Sequence, residues 1–181
     1  QVVVVPKKFF GGGILLPRKN RQFALQAIQR IQEAAAAEAV VAVFGTALGL
    51  VRDSDIIPWD HDVDLVASLD ARPQINRYVQ PDFKRRYSDA ERDIFEVVLP
   101  DSRVLPVDIQ YFGKTRRILK KQLLGRTWLW DAQRFVHPRE IQIRQDCFYV
   151  PQQAESYLAD IYGEDWQVPN EFFCQDDYRD S

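Results

Sequence analysis

Two short stretches alternate apolar and acidic residues, HDVDLVA at 61–67 and LPVDIQYF at 105–112, and they constrain this chain more than anything else in it. In a β-strand successive side chains point to opposite faces. Val63 and Leu65 are therefore expected to face a core, while Asp62 and Asp64 project together from the other side, with Asp60 just before them. The second stretch repeats the pattern: Val107 and Ile109 point inward, leaving Asp108 on the opposite face of a neighbouring strand. Two carboxylates at adjacent outward positions stand ~7 Å apart along a strand and repel each other unless a cation lies between them. Mg²⁺ meets that need with hard oxygen ligands, commonly one or two carboxylates plus substrate phosphates.

Taken singly, an Asp-x-Asp is a solvated strand face, and Asp108 is a surface residue. An EF-hand loop starting at Asp60 fails, because its sixth position is Leu65 instead of glycine and its twelfth is Ala71 instead of glutamate. The Asp-x-Asp of a metal-dependent glycosyltransferase fits the same residues. What separates these readings is the company the aspartates keep. Upstream, FGTALGLVR reads as a strand-to-helix turn: Gly45 permits close approach to the backbone, Thr46 is placed to cap the helix, and Arg52 offers a bidentate fork. Exposed N–H groups at such a turn suit a phosphate. Strand-Gly-Thr-helix, then Asp-x-Asp, then a later single Asp is the order of a nucleotidyltransferase fold. It supplies the phosphate cradle, metal ligands and base that phosphoryl transfer needs.

The rest of the chain is consistent with an α+β domain, a nucleotidyltransferase-like small mixed β-sheet backed by helices. Phe23, Ala27, Ile28, Ile31 and Ala34 mark one face of a helix over about 18–38. AVVAVF is a buried strand ending at Phe44. IFEVVL and VLPVDIQYF flank the turn-like PDSR as a hairpin. Residues 116–130 have a helix-like composition, and IQIRQDCFYV alternates as a late strand. Ala154, Tyr157, Leu158 and Ile161 line a last helix that Gly163 terminates. Residues 1–17, with the GGG triplet, form an irregular arm; 18–169 form the catalytic domain; 170–181 form a tail.

Composition narrows the function further. At 181 residues, the length suits one domain, and 46% hydrophobic content suits a globular one. A formal net charge of -2 gives no bulk attraction to nucleic acid, so a phosphate ligand is held by local groups. Cys147 and Cys174 match no metal spacing and read as reduced thiols, and His61 and His137 are too few for a zinc centre. No apolar run approaches the ~20 residues of a membrane span, and VVVVP is not shaped like a signal peptide. The chain begins at Gln1, as a trimmed or excised domain would.

GTALGLVRDSDIIPWDHDVDL closely resembles the core motif of the LicD/fukutin family of phosphotransferases, and DIIPWDHDVDL resembles its fukutin-related branch. LPVDIQYF is similar to the family's later Val/Ile-Asp strand, and YLADIYGEDWQVP to its C-terminal Tyr-Gly-x-x-Trp-x-x-Pro segment. The likeness spans roughly residues 20–169. Asp53 stands where many members carry His, and His61 where many carry Asp. The resemblance implies transfer of a phospho-alcohol, such as phosphocholine or ribitol phosphate, from a CDP-linked donor to a sugar hydroxyl of a glycan, releasing CMP. It implies Mg²⁺ or Mn²⁺ held by Asp62, Asp64 and Asp108, with Asp60 nearby, and donor phosphates on Gly45, Thr46 and Arg52. Relatives that modify lipopolysaccharide, capsule or teichoic acid work in the cytoplasm, at times membrane-peripherally, and animal ones work in the secretory lumen. The alternatives are a nucleotidyltransferase attacking the α-phosphate of an NTP and a non-catalytic nucleotide-binding subunit.

Overall fold

The computed structural model describes residues 15–35, 40–79, 83–113, 118–123, 126–131 and 133–170. The expected arm and tail fall almost wholly outside these residues. The apolar stripe near the N-terminus forms α1 (Arg18–Ala34), which buries Ala24, Leu25, Ala27, Ile28 and Ile31. The last residues of the expected helix, 36–38, lie outside the described residues. At its last turn Gln32 donates through Nε2 to the carbonyl of Val40, tying the helix end to the first strand.

Five strands make the central sheet: β1 (Val40–Ala42), β2 (Val63–Ser68), β3 (Lys84–Ser88), β4 (Arg92–Val98) and β5 (Val104–Phe112), in the order β1-β2-β5-β4-β3. Only β2 and β5 run parallel; the other neighbours are antiparallel. A parallel pair needs a crossover, and here α3 (Arg72–Tyr78) and the β3–β4 hairpin supply it. The α+β mixed sheet expected from the sequence is therefore present, and so is the β4–β5 hairpin around PDSR.

The period-2 pattern sends alternate residues into two cores. Val63, Leu65 and Ala67 of β2, Val107, Ile109 and Tyr111 of β5, and Phe95 and Val97 of β4 join α1 in the larger one. The opposite face contributes Val66 and Phe112 to a second core. There they meet α2 (Phe44–Leu48), Phe135 of α4 (Gln133–Val136), and Tyr157, Leu158 and Ile161 of α5 (Ala154–Tyr162). The expected face of α5 is the buried one, and Gly163 follows it at φ 94°. This second layer covers only the end of the sheet holding Val66 and Phe112. Asp64 lies two residues before Val66, and Asp108 four before Phe112, on the same face but past that cover.

One buried charge crosses the larger core's edge. Asp93 of β4 is fully buried and takes hydrogen bonds from Arg72 at 3.0 and 2.9 Å, while the Arg72 guanidinium lies 4.7 Å from the Tyr111 ring centre. Burial opposes ionisation of Asp93, but the bonds and charge of Arg72 outweigh it and hold the carboxyl below its usual range.

The stretch 116–130, helix-like in composition but ambiguous in pattern, is described at 118–123 and 126–131. There β6 (Ile118–Leu123) pairs antiparallel with β7 (Arg126–Asp131), so the stretch is strand there and not helix. Its Leu, Lys, Arg and Gln residues carry high helix propensity, but the propensity differences are a few tenths of a kcal/mol per residue and yield to strand pairing. IQIRQDCFYV is likewise two strands, β8 (Arg139–Ile143) and β9 (Asp146–Val150), turning through Arg144 at φ 59°.

Candidate active site

The site is assembled around the turn from β1 into α2. Phe44 is held at φ 50°, a left-handed conformation costing about 1–2 kcal/mol for a residue with a Cβ. Its N–H donates to the hydroxyl of Tyr157, a fully buried residue of α5. The helix therefore begins at Phe44, two residues before the expected cap. Thr46 lies inside it and has a different task. Its buried hydroxyl accepts the N–H of Asp64 at 2.9 Å, and the Asp64 carbonyl accepts the N–H of Val43 at 3.1 Å. Both main-chain groups of the strand aspartate are thus fixed by the β1–α2 turn.

Both glycines of GTALG serve the loop that carries the other aspartates. A Cβ on Gly45 would stand 2.6 Å from Oδ2 of Asp60. A Cβ on Gly49 would stand 2.6 Å from the carbonyl of Asp55 and 3.0 Å from the nitrogen of Ile57. Without side chains at these two places, residues 55–60 fold down onto α2 and its π-helical extension, Gly49–Asp53. The space expected for a phosphate beside Gly45 is filled by the Asp60 carboxylate. With five residues, α2 is also too short to develop much of a dipole.

The acidic stretch itself is only partly a strand. β2 starts at Val63, so Asp64 alone has a strand position, while Asp60 and Asp62 stand in the loop before it. A turn closed by the Asp60 N–H on the Ile57 carbonyl, just after Pro58, prevents earlier pairing. Asp60 remains beside both partners. Withdrawal from water, the charges of Asp62 and Asp64, and a hydrogen bond with Asp62 push its carboxyl well above the ordinary range, against one bond from the His61 N–H.

Across the sheet, Asp64 pairs in register with Asp108 on the parallel strand β5. Paired residues on neighbouring strands share a face, so the two carboxylates project together. Asp108 is not alone there. Arg92 of β4, paired with Gln110 two residues along, reaches diagonally to it; Nε donates to Oδ1 at 2.8 Å and Nη2 to Oδ2. Sequence reading missed Arg92, because the β4 strand was started at Ile94 and the register that sets its face is tertiary information. Arg52, expected near the phosphates, directs its fork to Asp53, with two bonds of 2.8 Å.

Asp60, Asp62 and Asp64 lie together in a partly dehydrated place, and burial first, then the charges of Asp62 and Asp64, disfavour ionised Asp60. That is an environment a divalent cation relieves. Among the described residues, no three His, Cys, Asp or Glu side chains are drawn together closely enough to enclose an ion, and Asp108 has Arg92 as its counter-ion. The residues fit a cation in identity and charge, with closing still to come from ligand or substrate. A depression of about 230 Å³ beside α1, lined by Gln22, Gln26, Arg144 and Asp146 among others, holds none of these residues.

The sequence profile described as LicD/FKTN/FKRP, nucleotidyltransferase domain, matches residues 39–143, more than half of the chain. The chain belongs to this family. The LicD-family match spans β1 to β8 and so includes every candidate residue above. It places the chain in a family of transferases built on a nucleotidyltransferase domain. No curated protein sequence matches it. Among solved structures, the LicD-family chain is similar to the lincosamide antibiotic adenylyltransferase LnuA with lincomycin bound, at 10% identity and TM-score 0.44, covering 80% of this chain and 85% of that one. It is also similar to ANT(2")-Ia in complex with adenylyl-2"-tobramycin, at 12% identity and TM-score 0.40, covering 63% and 72%. JHP933 from Helicobacter pylori matches at 17% identity and TM-score 0.36, covering 62% of this chain and 52% of its own. No helix among the described residues is long and apolar enough to cross a membrane.

Proposed function

We propose that this chain transfers a phospho-alcohol from a CDP-linked donor to a sugar hydroxyl of a glycan. The observation that carries this reading is the in-register pairing of Asp64 with Asp108 on the open face, beside Asp60 and Asp62, in a LicD-family domain. The PWDHDVDL context supports placement near the fukutin-related branch. Asp62, Asp64 and Asp108 would hold Mg²⁺ or Mn²⁺, with Asp60 as a further ligand. When bound, the metal neutralises charge developing on the diphosphate.

The chain's own groups do the rest. Thr46 and the Val43 N–H hold the Asp64 backbone, so its carboxylate is placed before substrate arrives. Gly45 keeps room for Asp60. The acceptor oxygen attacks the phosphorus distal to cytidine as its proton passes to a carboxylate; Asp108 serves there in place of ligating the metal if Asp62 and Asp64 hold the metal by themselves. The bond from that phosphorus to the bridging oxygen breaks, and CMP leaves with the electron pair. For Arg52 to hold a donor phosphate, its fork would have to exchange Asp53 for that ligand.

Incubation with CDP-choline, CDP-ribitol or CDP-glycerol plus Mn²⁺ or Mg²⁺ and a glycan acceptor is expected to release CMP. Asp62→Asn and Asp108→Asn are expected to lower turnover at least ~100-fold, a loss of the size seen when one transition-state charge partner is removed, with the fold retained by circular dichroism. Full activity in both variants refutes the metal site. Pyrophosphate release from CTP would replace this reading with nucleotidyl transfer, and tight CDP binding without turnover on any acceptor would replace it with a binding subunit.

A further inference from the structure

We propose that Arg92 is a donor-binding residue that exchanges partners: it pairs with Asp108 when no donor is bound and moves to the donor's diphosphate on binding. The inference rests on the proposed reading of the site and adds a recognition residue to it. Three observations carry it. Arg92 and Asp108 make a forked ion pair on the face shared with Asp64, and the Asp64 charge acts on Arg92 as well. The Arg92 side chain is 37% exposed, whereas its partner Asp108 is 10% exposed, so the guanidinium is the member open to an incoming ligand. Arg52, by contrast, is 9% exposed with its fork filled by its own neighbour.

The chemistry requires an exchange. A carboxylate whose two oxygens both accept from a guanidinium has lone pairs committed to that fork, and a cation binding there repels the arginine. A nucleoside diphosphate brings the compensating anion. Its paired oxygens match the planar five-donor fork as well as a carboxylate does. Arg92 then neutralises the ligand on the side facing β4, while the carboxylates of β2 and β5 are released to the metal. No bond is made or broken in this step; one ion pair replaces another.

Binding of Mn²⁺ alone, and of CDP at saturating Mn²⁺, is measured by calorimetry on the full chain and on Arg92→Gln and Arg92→Lys. The two readouts should move in opposite directions. Arg92→Gln tightens Mn²⁺ binding, having removed the competing cation, and weakens CDP roughly 10- to 100-fold, the loss expected for a charged forked bond. Arg92→Lys, which keeps the charge but not the fork, weakens CDP by a smaller factor and decides the matter if the glutamine variant does not fold. CDP affinity unchanged in a folded Arg92→Gln, or unchanged in Arg92→Lys, overturns the proposal while leaving the site intact. Parallel loss of Mn²⁺ and CDP in Arg92→Gln makes Arg92 a strut for β5 and also overturns it. A native chain that binds neither Mn²⁺ nor CDP overturns the reading of the site, and the exchange with it.

Discussion

Gly45 and Gly49 are four residues apart on one short helical segment, yet replacing each by alanine should have opposite consequences. The methyl of Gly45→Ala would meet Oδ2 of Asp60 at 2.6 Å, where ordinary contacts begin at 3.4 Å. The obstacle is the end of a side chain, and that carboxyl is already held in an unfavourable place by burial and by Asp62 and Asp64. Rotation of Asp60 outward relieves both problems, and alanine gains up to about 1 kcal/mol over glycine in a helix. The expected net change in stability is between zero and about 1 kcal/mol in favour of the variant. Gly49→Ala meets main-chain atoms of Asp55 and Ile57 instead. That loop is anchored by the Arg21–Asp55 ion pair and by buried Ile56 and Ile57, so it cannot yield without unpacking. A loss of about 1–3 kcal/mol follows, as for other overpacked sites. Urea denaturation gives the two stabilities, and thermal shift with added Mn²⁺ reports the site independently of turnover. Gly45→Ala should retain its midpoint but lose most of the Mn²⁺-induced shift and of CMP release; Gly49→Ala should lose midpoint first. If Gly45→Ala keeps the native Mn²⁺ response and activity, Asp60 has no part in the site and the explanation of that glycine is wrong.

Two titrations should pull stability in opposite directions. Asp60 is raised from its ordinary value of 3.8, so the protonated form is favoured by folding. Its contribution is fully present below that value and lost as pH rises through the folded one. Metal-free Asp60→Asn should therefore melt higher than the native chain at pH 7, with the gap closing toward pH 4, and equal melting at both pH values would refute the assignment. Asp93 is lowered, so its contribution is present above 3.8 and lost as pH falls through its folded value. Asp93→Asn, which takes the carboxylate away from the half-buried Arg72, should cost about 1.5–3 kcal/mol by urea denaturation at pH 7, and a loss below 1 kcal/mol would show that pair to be dispensable.

Much of this was legible before any coordinates. The faces of α1 and α5 and the β4–β5 hairpin follow from periodicity alone, and so does the shared outward direction of Asp64 and Asp108. Asp60 and Asp62 lie near where they were expected but on a loop, because the Ile57–Asp60 turn delays the start of β2. The pattern of 116–130 left helix and strand open, because its propensities are weak and strand pairing decides between them. Arg92, the Thr46 bond to Asp64 and the Gly45–Asp60 contact were out of reach for one reason. Each is a contact between segments whose relative placement depends on register or on loop packing, which no local pattern encodes.

The parallel pairing of β2 and β5 also sets when the site can exist during folding. Asp64 and Asp108 become neighbours only when β5 returns to pair with β2 across a connection that contains α3, β3 and β4. Non-local parallel pairing of this kind is a slow event, since loop-closure entropy is lost before contacts compensate for it. Helix α1 and the β4–β5 hairpin, being local, can form sooner. The Asp64–Asp108 pair is thus expected to form late in folding, and, on the proposed reading of the site, the appearance of tight Mn²⁺ binding in a refolding chain would time the closure of the central sheet.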